Sequence, residues 1–299
     1  MADQAERLRE LSKNSLNSHP SAVKNIIMKT ETNPAHVIAV TSGKGGVGKS
    51  TFTVNLALAL SNFGKKVLII DADLGMANID VMLGCLSSHS MVDIINGSLS
   101  FEDVVVTGPN NIKFLPGGSG MRYLVSLDSF DLQRVISQIT EYEDDTDFIL
   151  IDTGAGLGGN VMNFIMSADD ILIITTPEPT SMTDAYAVVK AYAANMGSAP
   201  LRLVVNRAGD NKESVIIAEK LCKVTNRFLQ IDIEQLGYIV EDPSVIASIR
   251  SQNPLLLRDP DSPAANCIMD IAYKLLFGSE RVQKTGFSGF FKKFLNISR

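Results

Sequence analysis

The sequence predicts a three-layer α/β fold, a mostly parallel twisted sheet covered by helices on both faces. Three observations carry that prediction. Short, apolar runs recur at residues 37–40, 67–70, 148–151 and 171–174, separated by stretches of helical composition. Strands apolar on both faces belong to a sheet buried from both sides, as parallel sheets are. A Gly-rich turn, Ser42-Gly-Lys-Gly-Gly-Val-Gly-Lys-Ser50, joins the first strand to the first helix. Acidic residues close two strands, at Asp71 and Asp73 and at Asp152, on the sheet edge where ligands bind in such folds.

Taken in order, residues 1–35 stand apart. Residues 2–11 are strong helix formers, with Ala5, Leu8 and Leu11 spaced as a narrow apolar stripe; residues 12–20 are polar; Val23, Ile26 and Ile27 form a second patch before Asn33-Pro34. A lone helix of about ten residues is marginal in water. The arm reads either as a segment that orders on a partner or on the domain, or as a disordered tail with a chance stripe. From residue 37 the expected order is strand 37–40, helix 50–60, strand 67–71, a long region to 111 with a short helix near 91–95, strand 112–115, and helix 128–142. Strand 148–152, helix 161–167, strand 171–174, helix 181–195, strand 201–206, helix 212–229 and strand 236–240 follow. No internal repeat is present.

Composition narrows the classes. The 299 residues, 45% hydrophobic and 20% charged, suit one large α/β domain with appendages. A net charge of -6 argues against wholesale nucleic-acid binding, and no specific nucleic-acid contact is expected. Cys85, Cys222 and Cys267 lie far apart with no CxxC pair, as thiols of a reducing cytosol do. The charged N-terminus has no apolar signal core, and no run of about 18 apolar residues could span a membrane. The expected location is cytoplasmic.

Strand, Gly-rich turn and helix together are the setting of a phosphate-binding loop. Gly43, Gly45, Gly46 and Gly48 allow consecutive N–H groups to turn inward on an anion. The positive helix N-terminus adds to that field. Lys49 would reach the β and γ phosphates, and the Ser50 hydroxyl would hold Mg²⁺, with Val47 and Thr51 completing the loop. The pattern arises by accident in roughly one chain in a hundred of this length.

Lys44, directly after the first Gly, makes Gly-Lys-Gly-Gly-Val-Gly-Lys-Ser similar to the deviant Walker A loop of the MinD/ParA family. The resemblance implies an ATPase that forms an ATP-dependent homodimer in which Lys44 contacts nucleotide on the opposite subunit, so Lys44, Lys49 and Asp73 become the catalytic candidates. Asp73 resembles the family's switch I aspartate, which orients the attacking water. Asp152-Thr-Gly-Ala-Gly156 resembles the Walker B strand and switch II turn, with Asp152 holding Mg²⁺ through water and the Gly156 amide near the γ-phosphate; the family often has Pro where this chain has Gly154. In Thr175-Thr-Pro-Glu-Pro-Thr-Ser181, Glu178 would approach the partner subunit. Asn206, followed by Arg207, closes a strand at the family's adenine-reading position, where a side-chain amide offers a donor and an acceptor. Glu241 and Asp242, in Gly237-Tyr-Ile-Val-Glu-Asp-Pro243, would line the other side of the base.

Beyond Glu280 no acidic residue remains, while Arg281, Lys284, Lys292, Lys293 and Arg299 are basic. Phe287, Phe290, Phe291, Phe294 and Leu295 fall on one helical face. Aromatic bulk beside lysines describes a helix lying in an anionic membrane interface, here the inner leaflet; the alternative is docking on the domain's own surface, as expected in the ADP or monomer state, and the basic flank favours the membrane. One tail would bind weakly and two far better, so dimerisation would gate reversible attachment. The expected division is an arm at 1–35, an ATPase domain at 36–279 and a membrane helix at 280–299.

The arm's Asp3, Gln4, Ala5, Leu8 and Arg9 resemble the Asp-Gln-Ala-x-x-Leu-Arg motif of the FlhG (FleN/YlxH) ATPases, which set flagellar number and position. That resemblance implies an FlhF-type signal-recognition GTPase and flagellar C-ring components as partners. A MinD-like division-site ATPase would share the core and tail without needing the first 35 residues. A ParA-like partition ATPase would need a basic DNA surface. An autokinase would carry clustered C-terminal tyrosines, whereas the last is Tyr273, and an iron–sulfur reductase would carry cysteines near the switches, whereas none lies between Cys85 and Cys222.

Overall fold

Strand β1 (His36–Ser42) is buried at every position, because its alternate side chains point into two different cores. Ile38 and Val40 join one cluster with Phe52, Leu56 and Ile271, while Val37 joins another with Ile149 and Phe164. This computed structural model describes residues 34–298 other than 74–78, 86, 117–119, 121–133, 136, 141, 143–144 and 279–281. The arm motif at Asp3 to Arg9 and much of the expected helix 128–142 lie outside the described residues.

The remaining strands are β2 (Val67–Ala72), β3 (Val106–Thr107), β4 (Lys113–Leu115), β5 (Phe148–Ala155), β6 (Asp170–Thr175), β7 (Leu201–Ala208) and β8 (Ile233–Val240). They form one sheet in the order β3-β4-β2-β5-β1-β6-β7-β8. Every pairing is parallel except β3 with β4. One face is covered by α1 (Lys49–Asn62), α2 (Ile79–Leu83), α9 (Leu255–Arg258) and α10 (Pro263–Phe277). The other carries α3 (Met91–Ile95), α4 (Phe101–Val104), α5 (Gly159–Ser167), α6 (Pro179–Ala194), α7 (Asn211–Leu229) and α11 (Gly286–Ser298). Helix α8 (Pro243–Arg250) follows β8.

The element order matches the expectation, with informative differences at the edges. Strand β8 begins at Ile233, three residues before its apolar run, because it pairs only with β7 and tolerates exposed Glu234. Strand β5 continues past Asp152 to Ala155, so the switch turn starts as sheet. Among the described residues, the region before residue 111 holds α2, α3 and α4, and the capping boxes Ser90/Asp93 and Ser100/Asp103 start the last two.

Helix α11 lies on the domain, with Phe287, Phe290, Phe291 and Phe294 each at most 1% exposed. Phe294 stacks on Phe164 of α5 at 4.9 Å. The segment is tethered at its entrance by Asp169, which accepts hydrogen bonds from Thr285 N at 3.1 Å and Thr285 Oγ1 at 2.5 Å. Lys293 Nζ lies 3.8 Å from the same carboxylate, which also accepts from Val37 N.

Candidate nucleotide site

The Gly-rich loop leaves the carboxyl end of β1 and enters α1, whose N-cap is Gly48. Gly48 has φ 91°, and a Cβ there would stand 2.4 Å from Asn206 Nδ2, so only glycine fits the turn. Gly43 is required for a different reason: a Cβ would meet the backbone of Asp184 at 2.2 Å, so the loop lies directly on α6. Val47 is buried beneath the loop, whereas Gly45 and Gly46 are exposed and Ser50 and Thr51 half-buried in the first turn of α1.

Lys49 and Asp152 meet at the floor of the loop. Lys49 Nζ donates to Asp152 Oδ1 at 2.9 Å, with the side chains 7% and 1% exposed. Thr53 Oγ1 lies 3.0 Å from both Asp152 Oδ1 and Lys49 O. A buried charge pair is sustained only when further hydrogen bonds satisfy it, and Thr53 supplies one. Sequence reasoning missed Thr53; its signal is a hydroxyl one helical turn after the loop lysine.

Asp71 is the register partner of Asp152 across β2 and β5. Only 2% exposed, it accepts from Asp73 N at 3.1 Å and Ile79 N at 3.4 Å, so it shapes the turn that carries Asp73. The Asp73 carboxylate lies over Gly154, where a Cβ would be 3.7 Å from Asp73 Oδ1. Gly154 leaves space beside the Asp73 carboxylate, expected at switch I. The Gly156 amide donates to Ser42 O at 2.9 Å, so here it ties the switch turn to the loop.

Lys44 Nζ donates to Glu178 Oε2 at 2.7 Å and Thr180 Oγ1 at 3.1 Å, joining two positions expected at a subunit boundary within one chain. The lysine holds the Glu178 carboxyl below its ordinary pKa. Asn206 and Arg207, expected at the base, grip the loop: Asn206 Nδ2 donates to Val47 O at 2.7 Å and an Arg207 guanidinium nitrogen to Gly46 O at 3.0 Å. Arg207 takes a left-handed backbone, φ 56°, uncommon for a residue with a Cβ.

A cavity of about 230 Å³ opens beside the loop, lined by Gly48, Thr51, Asn206, Arg207, Glu241 and Asp242 with Ile239, Ile246 and Ile249 as apolar wall. It gathers four expected base-contact residues in one place. Asp242 also has a structural task, capping α8 through Ser244 N and accepting from Ala264 N. The donor set suits Mg²⁺, a hard cation that takes oxygen ligands and leaves most of its shell to water and phosphate: a buried carboxylate, Asp152, faces the helix turn bearing the Ser50 hydroxyl.

A family model described as ParA, NUBPL iron-transfer P-loop NTPase, matches residues 33–276. Among curated relatives, antiactivator FleN of Pseudomonas aeruginosa is 38% identical over 242 residues, 81% of this chain and 86% of FleN. The flagellum site-determining protein YlxH of Helicobacter pylori is 33% identical over 270 residues, 86% of this chain and 89% of YlxH. Among solved structures, a chain of the MinC:MinD cell division protein complex of Aquifex aeolicus superposes with TM-score 0.66 at 30% identity, covering 84% of this chain and 100% of that one. The MinD of Pyrococcus horikoshii complexed with Mg-ADP superposes with TM-score 0.64 at 29% identity, covering 81% and 96%.

Proposed function

Because the chain belongs to the MinD/ParA family of P-loop ATPases, we propose that it works as an ATP-gated, dimerising membrane switch that governs flagellar number and placement. The observation that carries the reading is α11: four phenylalanines on a basic, acid-free segment, packed on the domain but entered through a few polar contacts. Lys49 exchanges one anionic partner for another when the phosphates arrive, leaving Asp152. Ser50 and, through water, Asp152 would hold Mg²⁺, which supplies charge neutralisation at the phosphate oxygens. Asp73 orients the attacking water, and Gly154 leaves room for it. Lys44 leaves Glu178 for the nucleotide of the second subunit. Asn206, Arg207, Glu241 and Asp242 bound the cavity that receives adenine.

Dimerisation releases both tails to the anionic inner leaflet, and hydrolysis resets them, so the protein is peripheral and reversible. The flagellar role draws support from the YlxH relative's name and from the arm motif. The arm, residues 1–35, would serve an FlhF-type GTPase, and the core the C-ring components. A peptide of residues 1–35 should stimulate GTP turnover by that partner, and Gln4→Ala should abolish the effect; no stimulation by either peptide removes the main reason to prefer the flagellar role. Division-site placement is the second reading, favoured by the MinD structural likeness.

Co-sedimentation with anionic vesicles tests the switch, using the intact chain, a form ending at residue 280, and Asp73→Ala. Binding should need ATP and the tail and persist in Asp73→Ala. Binding indifferent to nucleotide, or none, overturns the gated tail.

A further inference from the structure

The sheet edge opposite the nucleotide loop carries an aromatic patch. Helix α1 starts at the loop on the carboxyl edge and ends at its C-cap, Phe63, on the amino edge. There Phe63 supports two residues of α10: its ring centroid lies 6.2 Å from that of Tyr273 and 6.3 Å from that of Phe277, which are 4.9 Å from each other. Tyr273 and Phe277 are nevertheless 56% and 65% exposed. The same edge holds the tail's root, where Thr285 meets Asp169 and Lys284 Nζ lies 5.8 Å from the ring of Phe148 at the start of β5.

Resting on the membrane reading of the tail, we infer that Tyr273 and Phe277 form a second, fixed membrane contact that enters the same anionic interface once the tail is released. Three arguments point to this occupant. Phe277 is the last residue of α10 and lies ten positions before Phe287, a reach of at most about 35 Å in extended chain, so a tail in the interface holds the patch close to it. Charge is complementary: from Lys274 to the end there are six basic residues and one acidic residue, Glu280, against a chain whose net charge is -6. Tyrosine beside phenylalanine is the side-chain chemistry of membrane–water boundaries, with an apolar body and a polar tip. A fixed patch on the domain also sets the orientation of the dimer on the surface, which a flexible tail alone does not.

The chain has no tryptophan, so a single introduced indole reports on one place. Phe277→Trp is placed in an Asp73→Ala background with ATP and phosphatidylglycerol–phosphatidylethanolamine vesicles. Ile216→Trp, at a comparably exposed position near the start of α7 and so toward the opposite sheet edge, is the control. Emission of Phe277→Trp should shift to the blue and be quenched by brominated acyl chains, and Ile216→Trp should not be quenched by them. In parallel, Tyr273→Ala with Phe277→Ala should weaken vesicle binding about tenfold without altering ATP turnover in solution. Tail-dependent binding with an unshifted Phe277→Trp overturns this inference and leaves the tail reading standing. A blue shift with ATP before any vesicle is added assigns the patch to a protein–protein contact and overturns it too. No vesicle binding by the intact chain overturns both.

Discussion

Helices α10 and α11 lie on opposite faces of one sheet, and both are buried along one side, yet they are built differently. Helix α10 has no glycine, a Ser262 cap that accepts from Ala265 N, Pro263 in its first turn and Lys274 in its last. Its Ile271 fits against Gly237 so closely that a Cβ there would stand 2.5 Å from Ile271 Cγ1. Helix α11 opens on Gly286 with φ 70°, contains Gly289, and draws its burial almost wholly from phenylalanine. An interior glycine such as Gly289 weakens a helix by about 1 kcal/mol. Burial is therefore common to both helices, and composition and tethering are what differ between them. A buried phenylalanine contributes about 1.5 to 3 kcal/mol wherever water is excluded, so in the proposed switch apolar burial on the domain and in lipid would nearly cancel, and the few polar contacts at Asp169 would decide the balance.

The comparison is sharpened first by truncating one side chain in each helix. Ile271→Ala should lower stability by about 2 to 5 kcal/mol in urea denaturation. Phe290→Ala should lower it by less, because a helix free to leave cannot cost the domain more than its own docking; an equal or larger loss would make α11 core. Next, Thr285→Val removes a hydrogen bond to Asp169, worth about 1.5 to 3 kcal/mol when the partner is charged. Vesicle binding without ATP should rise about tenfold or more, and unchanged binding would deny the tether its role. Gly289→Ala acts in the same direction more weakly. Its gain in helix propensity is shared by the docked and the membrane-bound helix, so it acts through the docked form, where a Cβ would stand within 2.6 Å of Thr285 Cβ; at about 1 kcal/mol of overpacking, nucleotide-independent binding should rise about fivefold.

A separate effect, read against pH, concerns the buried groups beneath the tail. Burial, with Lys284 and Arg202 nearby, pushes His36 down to about 3 from 6.5. The unfolded chain takes up that proton first, so stability from this group falls as pH drops below 6.5. Burial also raises Asp170 to about 6, against the pull of Arg202; the folded chain protonates it before the unfolded one does, which offsets the histidine between about pH 6 and 4. His36→Phe leaves only the second contribution. Its thermal stability relative to the wild type should improve as pH falls from 7 to about 4.5, and a constant gap would refute the assignment.

Much of this was legible from residue order. Central strands such as β1 and β5 are apolar on both faces and admit little else, and the loop glycines announce a phosphate site. Edges were harder: β3 spans two residues and β8 mixes Glu234 and Gln235 into its start. Local motifs name positions but not their present contacts. Asn206 and Arg207 hold loop carbonyls and Lys44 holds Glu178, all through partners distant in sequence, while Asp71 shapes the turn that follows it. The apolar face of residues 287–295 is plain in the sequence, but periodicity carries no information on whether protein or lipid covers it.

Hydrogen exchange at the amides of α11 reads the central claim directly. With Asp73→Ala held in ATP, peptides covering residues 286–298 should lose protection by at least about tenfold relative to ADP while α10 peptides stay unchanged, and anionic vesicles should restore the protection. Equal protection of α11 with ATP and with ADP, in solution and on vesicles, would contradict a tail released by nucleotide.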